Sequence, residues 1–500
     1  MKRGLSIVTS GVAFLALSAV VCRAQAPPVR WVQQAGGSGL NGGKGVALDE
    51  LGNIFVVGDV SIASFGAVTL NNCAVLAKYD SFGRLLWATN AGTTFPYGST
   101  VAADGAGNAY LISSHTPPCA IRKFDPAGNC LWTQPLDATQ FNNRADGIAA
   151  DMAGNCYVTG SEYQYISYPP PRSYYWMSFA KYNSNGILLW MKQTGGTNSN
   201  GTGIALDSAG NIFVCGGFRG LASWGNSGAQ TNLTSQGYCD AYVAKYDSAG
   251  RIIWVSSFGA AAGDRSGKAV AVGGDGSAYT VGGTGSEGGD TPGFICKFAA
   301  AGGLAWAHVF AFVAPFSAYV APLAVCVDSG NSVYMTGYFY GSCDFGGSNL
   351  VSSGSADMFV AKYDSLGSLQ WVVGFGGAGL DSGQGITASS LGDLYLTGAF
   401  GATVSFGGFT LTSGADADLF LANLGAGGSP PQPSLSLSRY PGLTIGGLAG
   451  RLYQVQFSDS VQTNWQALTN IVLPYSPYLW IDTSPGRPPS RFYRAALVQP

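Results

Sequence analysis

Charge is the scarcest resource of this chain. Asp, Glu, Lys and Arg supply 10% of its 500 residues, against roughly 25% in ordinary soluble proteins. Histidine is nearly missing, with only His115 and His308. Neither stands beside a Cys, Ser or carboxylate in a nucleophile–base pattern. No His-x-x-x-His or Cys-x-x-Cys pair occurs, so triad hydrolysis and zinc sites have no frame. Lys/Arg clusters are also lacking, which argues against nucleic acid and anionic membrane surfaces. The glycine-rich segments Gly259–Gly263 and Gly282–Gly289 lack the strand-to-helix setting of a phosphate loop. No metal or cofactor is therefore expected. Past the N-terminus no apolar run is long enough for a bilayer, because Pro315 and Pro322 interrupt the best one, Val309–Val325.

The chain has glycine in abundance, 74 residues. Glycine is costly inside helices, so an all-β chain of short strands and turns is expected. Lys2 and Arg3 followed by the apolar run Ile7–Val21 and small residues at Ala24 form an export signal, residues 1–24. A lipid anchor at Cys22 and an uncleaved membrane anchor are the lesser alternatives. The expected destination is outside the cytoplasm: secreted, periplasmic or cell-surface, with no membrane insertion after cleavage. Losing Lys2, Arg3 and Arg23 takes the formal net charge from −2 to −5. Ten cysteines less Cys22 leave nine. Cys130, Cys156, Cys215, Cys296 and Cys326 fall within expected strands as small buried residues. Cys73, Cys119, Cys239 and Cys343 lie nearer strand ends and are the better disulfide candidates.

One unit organises the rest, clearest from Gly203 to Trp254. Two pairs of alternating segments are joined by short Asp-to-Gly turns, Asp207–Asn211 and Asp247–Gly250, that read as hairpins. The unit predicts four antiparallel strands, A to D. It recurs every roughly 45–65 residues, as propeller blades do. The A–B turn appears at Asp49–Asn53, Asp104–Asn108, Asp151–Asn155 and Asp207–Asn211, then in degraded form at Gly273–Ser277, Asp328–Ser332 and Ser389–Asp393. Strand C carries Lys78, Lys123, Lys181, Lys245, Lys297 and Lys362; the seventh copy has Asn423 instead. That copy runs into Gly425–Gly428 without its strand D. A solitary D-like strand, Arg30–Gln33, precedes the first copy. Seven blades closing into a ring, with this N-terminal strand completing the last, is the expected fold for residues 27–428. Strand B places an aromatic three residues before a glycine, as in Phe55/Gly58, Phe213/Gly216 and Tyr395/Gly398. Packing between blades and a close approach or bulge explain that pair.

The pattern DxxGNxYVxG followed by DAYVAKYDxxGxxxW resembles the SBBP-type β-propeller repeat of bacterial exported proteins. The inserts Phe65–Leu70, Phe345–Leu350 and Phe406–Leu411 resemble its longer form. The resemblance covers about four-fifths of the chain and implies a propeller in an exported protein. It transfers no catalytic residue. After the Pro-rich linker, residues 429–433, the segment 434–500 is expected to form a small, fibronectin-like β-sandwich. Its elements GLAGRLYQVQFSDS, Asn464-Trp465 and Arg491-Phe492-Tyr493-Arg494 resemble a C-terminal module of bacterial secreted proteins.

Length variation falls almost wholly in the B–C and D–A connections. In an antiparallel blade these share one end of the ring, which is where binding is expected. The expected loop Ser161–Trp176 is the most unusual, with Tyr163, Tyr165, Tyr168, Tyr174, Tyr175 and Trp176 around Pro169–Pro171. Exposed Tyr and Trp stack on sugars or anchor proteins; the plainer reading is that they cover a neighbouring blade. Arg219 and Trp224 are further candidates, followed by Phe95, Tyr97 and the stretch Phe310–Tyr319. The leading expectation is an exported, non-enzymatic propeller binding a glycan or a protein. A carbohydrate-active lyase or hydrolase with acids converging at the channel mouth is the rival. A structural cell-surface protein is the third reading. The sequence does not specify an oligomeric state.

Overall fold

The computed structural model describes residues 24–498 apart from 94–99, 114–118, 137–144, 167–171, 195, 197, 226–229, 262, 284–291, 311–317, 415, 426–433, 438–441, 449, 459–464, 474–477 and 482–491. The export signal therefore lies outside the described residues, all but Ala24. So do His115, Phe95 and Tyr97.

Among the described residues every named element is a strand. Among the described residues seven four-stranded antiparallel units follow one another, here called blades 1 to 7; six are separate sheets and blade 6 is the first four strands of a six-stranded one. Blade 1 is Asn41–Leu48, Ile54–Phe65, Val68–Tyr79 and Leu85–Thr93. Blade 2 is Val101–Ala103, Ala109–Ser113, Ala120–Phe124 and Cys130–Pro135. Blade 3 is Ala145–Ala150, Cys156–Ile166, Arg172–Tyr182 and Leu188–Thr194. Blade 4 is Gly203–Leu206, Ile212–Phe218, Asp240–Tyr246 and Ile252–Phe258. Blade 5 is Ser266–Val272, Ala278–Gly283, Phe294–Phe298 and Leu304–Val309. Blade 6 is Tyr319–Val327, Val333–Tyr340, Asp357–Tyr363 and Leu369–Gly377. Blade 7 takes Asp381–Ala388, Leu394–Phe400 and Asp418–Leu424 from its own copy. Its fourth strand is Val29–Ala35, with Trp31 opposite Asn423 and Ala35 opposite Leu419. The first strands of successive blades touch in order, and that of blade 7 touches that of blade 1. The sheets thus form a closed cycle.

The repeated residues explain how the cycle holds. Where an Asp opens an A–B or C–D hairpin it accepts backbone N–H groups from two and four residues on, as Asp49 does from Leu51 and Asn53 and Asp247 from Ala249 and Arg251. These are the Asx turns expected from the sequence. The strand-B aromatic lies between neighbouring blades. Phe55 packs with Leu111 and Phe124 of blade 2, and Tyr395 with Val56 and Ala77 of blade 1. The glycine three residues later is needed because the strand-A carbonyl points at it. A Cβ on Gly398 would stand 1.9 Å from the Ser382 oxygen.

The strand-C lysine lies over that aromatic, with Nζ 4.6–5.1 Å from the ring centroid in six blades. It also pairs with the A–B turn carboxylate, at 3.1 Å in Lys78–Asp49 and 3.3 Å in Lys245–Asp207. The degraded turn of blade 5 keeps the arrangement by using Asp275, 3.4 Å from Lys297. Blade 7 has Asn423 where the lysine should be. There Arg30 of the closing strand meets Asp393 at 3.1 Å.

The strand-D tryptophans fasten the outer edges. Trp87, Trp132, Trp254 and Trp306 each donate the indole N–H to a carbonyl in the C–D turn of the following blade: Pro126, Ser184, Ala300 and Ser365. Trp31 of the closing strand covers Gly83 in the same way: a Cβ there would stand 2.7 Å from its ring, and Gly83 has φ +78°. His308 serves this edge too. Its Nε2 bonds to the Gly367 carbonyl at 2.6 Å.

All nine described cysteines are free. This corrects the disulfide expectation for Cys73, Cys119, Cys239 and Cys343, which are instead buried apolar packing residues. Cys130, expected to be buried, is exposed on the outer strand of blade 2. Toward the C-terminus, Ser434–Leu437, Gly442–Gly446 and Tyr478–Ile481 form one three-stranded sheet, and Leu452–Ser458, Gln466–Val472 and Phe492–Leu497 another. Leu443, Ile445, Tyr453, Val455 and Leu473 form their shared buried cluster.

Deleting Pro27–Gln34 strips blade 7 of its fourth strand and uncovers Trp371. Thermal unfolding should then occur roughly 5–10 °C lower; an unchanged melt contradicts closure by this strand. Asp49→Ala leaves Lys78 buried without its carboxylate, 4% exposed. Chemical denaturation should show a loss of about 3–5 kcal/mol.

Candidate functional site

The ring has two unlike ends. The A–B and C–D turns occupy one, and their charged residues are engaged by the scaffold as described. The other end carries the B–C and D–A connections. Its repeated acid is engaged as well. Asp240, Asp357 and Asp418 open strand C in blades 4, 6 and 7, and each accepts the backbone N–H four residues earlier, from Gln236, Ser353 and Gly414, at 2.8–3.0 Å. What distinguishes one blade from another at this end is the unrepeated residues.

The segment expected as the loop Ser161–Trp176 is instead a β-ribbon. Strand B of blade 3 continues to Ile166 and strand C starts at Arg172, paired residue for residue to Ile166↔Arg172. Alternating aromatic and polar residues let both strands run on beyond the blade. Tyr163 pairs with Tyr175, Gln164 with Tyr174, and Tyr165 with Ser173. Tyr168 lies outside the described residues. Tyr175 is 41% exposed, and Trp176 is half-buried. The base of the ribbon is tied to strand D through Gln193 and Glu162.

Trp224 is corrected as a ligand candidate. It is fully buried, its ring 5.2 Å from those of both Phe218 and Tyr242. It ends the first strand of the accessory hairpin Leu221–Trp224/Thr231–Thr234, matching Phe65, Phe345 and Phe406 in the inserts of blades 1, 6 and 7, which are buried too. These hairpins clasp the preceding blade. Val404 and Ser405, for example, pair with Gly377 and Gly376 of blade 6. Arg219, by contrast, is half-buried and reaches this end. Its Nη1 donates to Tyr238 Oη at 2.7 Å, and the guanidinium lies 4.1 Å over the Tyr238 ring. Tyr238 is 64% exposed. Burial pushes the adjacent Cys239 thiol up to about 11, against the opposing pull of Arg219.

Two further features emerge in the structure, the first at one end of the candidate stretch Phe310–Tyr319. On blade 6, Tyr319 stacks on Tyr340 and meets Tyr338 edge-on, with centroids 5.9 and 5.7 Å away. Tyr319 is 40% exposed, whereas Phe310, at the other end of that candidate stretch, is buried. The second feature lines the axis. Strand A carries a bulge in blades 1, 3, 5, 6 and 7, and the residues skipped by the pairing are Lys44, Asp146, Lys268, Leu323 and Gln384. Lys44, Asp146 and Gln384 are each half-exposed between buried neighbours, and Lys268 is exposed. The inner strands are so crowded that a Cβ on Gly43 would stand 2.1 Å from Thr397 Oγ1 of the preceding blade. The skipped residues are partly or fully exposed, whereas most of their neighbours on the strand are buried. The signal was present as a small residue flanking a variable one, Gly43-Lys44-Gly45 and Gly383-Gln384-Gly385.

The closed cycle of four-stranded sheets, with strand A innermost, defines the class: this is a β-propeller protein. More particularly, residues 189–216, from the outer strand of blade 3 through strand B of blade 4, match the family model SBBP, a beta-propeller repeat. No curated protein matches the chain. Among solved structures it is similar to a catalytically inactive virginiamycin B lyase from Staphylococcus aureus with quinupristin, at 10% identity and TM-score 0.43, covering 78% of this chain and 98% of that one. A gluconolactonase from Xanthomonas campestris aligns at 12% identity and TM-score 0.35, over 81% and 99%. YCF48 from Cyanidioschyzon merolae aligns at 10% identity and TM-score 0.39, over 78% and 98%. None of the three bears on what this chain binds.

Trp224→Ala removes a buried aromatic from the blade 3–4 cluster. It should destabilise the protein by about 3–5 kcal/mol in chemical denaturation. A loss below about 1 kcal/mol would return Trp224 to the list of surface candidates.

Proposed function

We propose that this protein is an exported, non-enzymatic β-propeller that binds a glycan or a protein partner through the end bearing its B–C and D–A connections. The supporting observation is that tyrosines are held at this rim by rigid elements. Tyr175 stands on the ribbon of blade 3, Tyr238 under Arg219 on blade 4, and Tyr319 on the stacked trio of blade 6. Tyrosine on a rigid strand gives large contact area at low entropic cost. The polar residues Lys44, Asp146, Lys268 and Gln384 add hydrogen-bonding groups toward the channel. Export by residues 1–24 and a spacer or second-contact role for residues 434–500 belong to this proposal.

The carbohydrate-active enzyme is the second reading, and acids do meet at this end. Asp381 and Asp357, however, are 0% and 3% exposed, and backbone amides hold both oxygens of Asp381 and Oδ2 of Asp357. That placement suits a structural pair better than contact with substrate.

The full-length protein, screened on a glycan array and by pull-down from the source's own surface extract, should retain a ligand. Tyr175→Ala, Tyr238→Ala and Tyr319→Ala should then each weaken binding roughly 5–100-fold, as rim or anchor aromatics do, with unchanged melting. Binding indifferent to all three, or no ligand of either class, would overturn the proposal and favour the structural reading.

A further inference from the structure

The chain builds the same connection twice, between blades 6 and 7 and between blades 7 and 1, and one residue differs. In both, a leucine bridges an alanine in parallel, Leu380 to Ala356 and Leu40 to Ala417. The next backbone N–H donates to that alanine's carbonyl, from Asp381 at 2.7 Å and from Asn41 at 2.9 Å. The side-chain Oδ1 then accepts a backbone N–H from the strand-B side, Gly401 to Asp381 at 3.2 Å and Ser61 to Asn41 at 3.0 Å. Each residue faces the strand-C acid of the preceding blade, Asp357 or Asp418.

At the 7–1 junction that acid is satisfied. Asp418 Oδ1 accepts Asn41 Nδ2 at 3.4 Å and the Gly37 amide at 3.3 Å. At the 6–7 junction the equivalent amide, Gly377, donates to Asp381 Oδ2 at 2.9 Å. Asp357 Oδ1 is left buried without a hydrogen-bond partner. Where Asn41 offers an N–H, Asp381 offers an oxygen. Two ionised carboxylates buried together repel and lose their hydration, and one shared proton removes both penalties.

We propose that Asp381 is protonated and donates from Oδ2 to Asp357 Oδ1, so that a proton does for the blade 6–7 junction what the Asn41 amide does for the blade 7–1 junction, and its loss loosens that junction. The hydroxyl oxygen can still accept the Gly377 N–H. Burial, with the Asp357 charge adding to it, lifts the Asp381 carboxyl from the ordinary 3.8 to about 7. Burial raises that of Asp357 as well.

Strand A of blade 7 packs against the strands of blade 6, strand B of its own blade and strand A of blade 1. Their other titratable groups are Tyr319 and Cys326, then Tyr334, Tyr338 and Tyr340, then Lys362 and Tyr363, and finally Tyr395 and Lys44. Lys362 is at the far end of its strand, beside Asp328. Asp357 is the one charged group that acts on Asp381.

The sign follows. Folded protein holds a proton that unfolded chain releases above about pH 4. The stabilisation is complete below about pH 4, falls as pH rises to about 7, and is gone above it. Melting of the full chain from about pH 4 to 9, compared with Asp381→Asn and Asn41→Asp, tests the proposal. Asp381→Asn recreates the Asn41 contact. It should melt above wild type at about pH 8 and lack wild type's extra decline between about pH 4 and 7. Asn41→Asp should steepen that decline. Parallel wild-type and Asp381→Asn profiles overturn the proposal. Should a variant fail to fold, the infrared carbonyl band of a protonated carboxyl in wild type decides. Its presence at about pH 6 and loss by about pH 8 supports the shared proton, and its absence at about pH 6 refutes it.

Discussion

A four-stranded sheet has two faces and too few residues to bury either alone, and every recurring feature of this chain answers that constraint. Each face is covered by the neighbouring blade, so no blade is stable without two others. The strand-B aromatic fills the gap, the strand-C lysine lies over its ring, and the turn carboxylate neutralises the lysine. A charge-poor chain thus spends many of its few ions inside the scaffold. Buried pairs of this kind are weak net sources of stability, but breaking one is expensive. Their repetition fixes register and spacing around the ring.

That spending separates scaffold from function. At the turn end, Asp, Lys and Trp repeat and their partners repeat with them. At the other end the repeated aspartates are buried and accept backbone amides, whereas residues that differ from blade to blade stay at least partly exposed: Tyr175, Tyr238, Tyr319 and the bulged Lys44 and Lys268. Bulges commonly redirect a side chain beside a functional surface. Here the inner strands are crowded, and the skipped residues on them are partly or fully exposed.

Much of the fold was legible in the sequence because its signals recur. One faint hairpin means little, but seven aligned copies expose a missing strand D and a spare one at Arg30–Gln33. Strand alternation also pointed to the blade cores. The site was harder to read, for three physical reasons. A bulge breaks alternation, so the strand pattern does not single out Lys44, Asp146 and Lys268. An aromatic in a variable segment looked like a ligand anchor, yet Trp224 occupies the position of Phe65 and Phe406 in a lengthened insert. A proline-rich, tyrosine-rich segment looked like a loop, although hairpin pairing of Ser161–Ile166 with Arg172–Met177 makes it a ribbon.

The fourth strand of blade 7 also sets an order of events. Trp31 is made nearly four hundred residues before Asn423, its partner across the ladder. Ribosomal synthesis releases blades 1 to 6 while the strand it pairs with is still missing, and contacts of such separation form late. The strand must wait, unpaired, until Leu424 emerges. Completion of the ring is thereby a checkpoint on chain length: a product truncated before strand C of blade 7 keeps an open sheet edge that proteases and quality-control factors can engage, and only a chain synthesised past that strand conceals it.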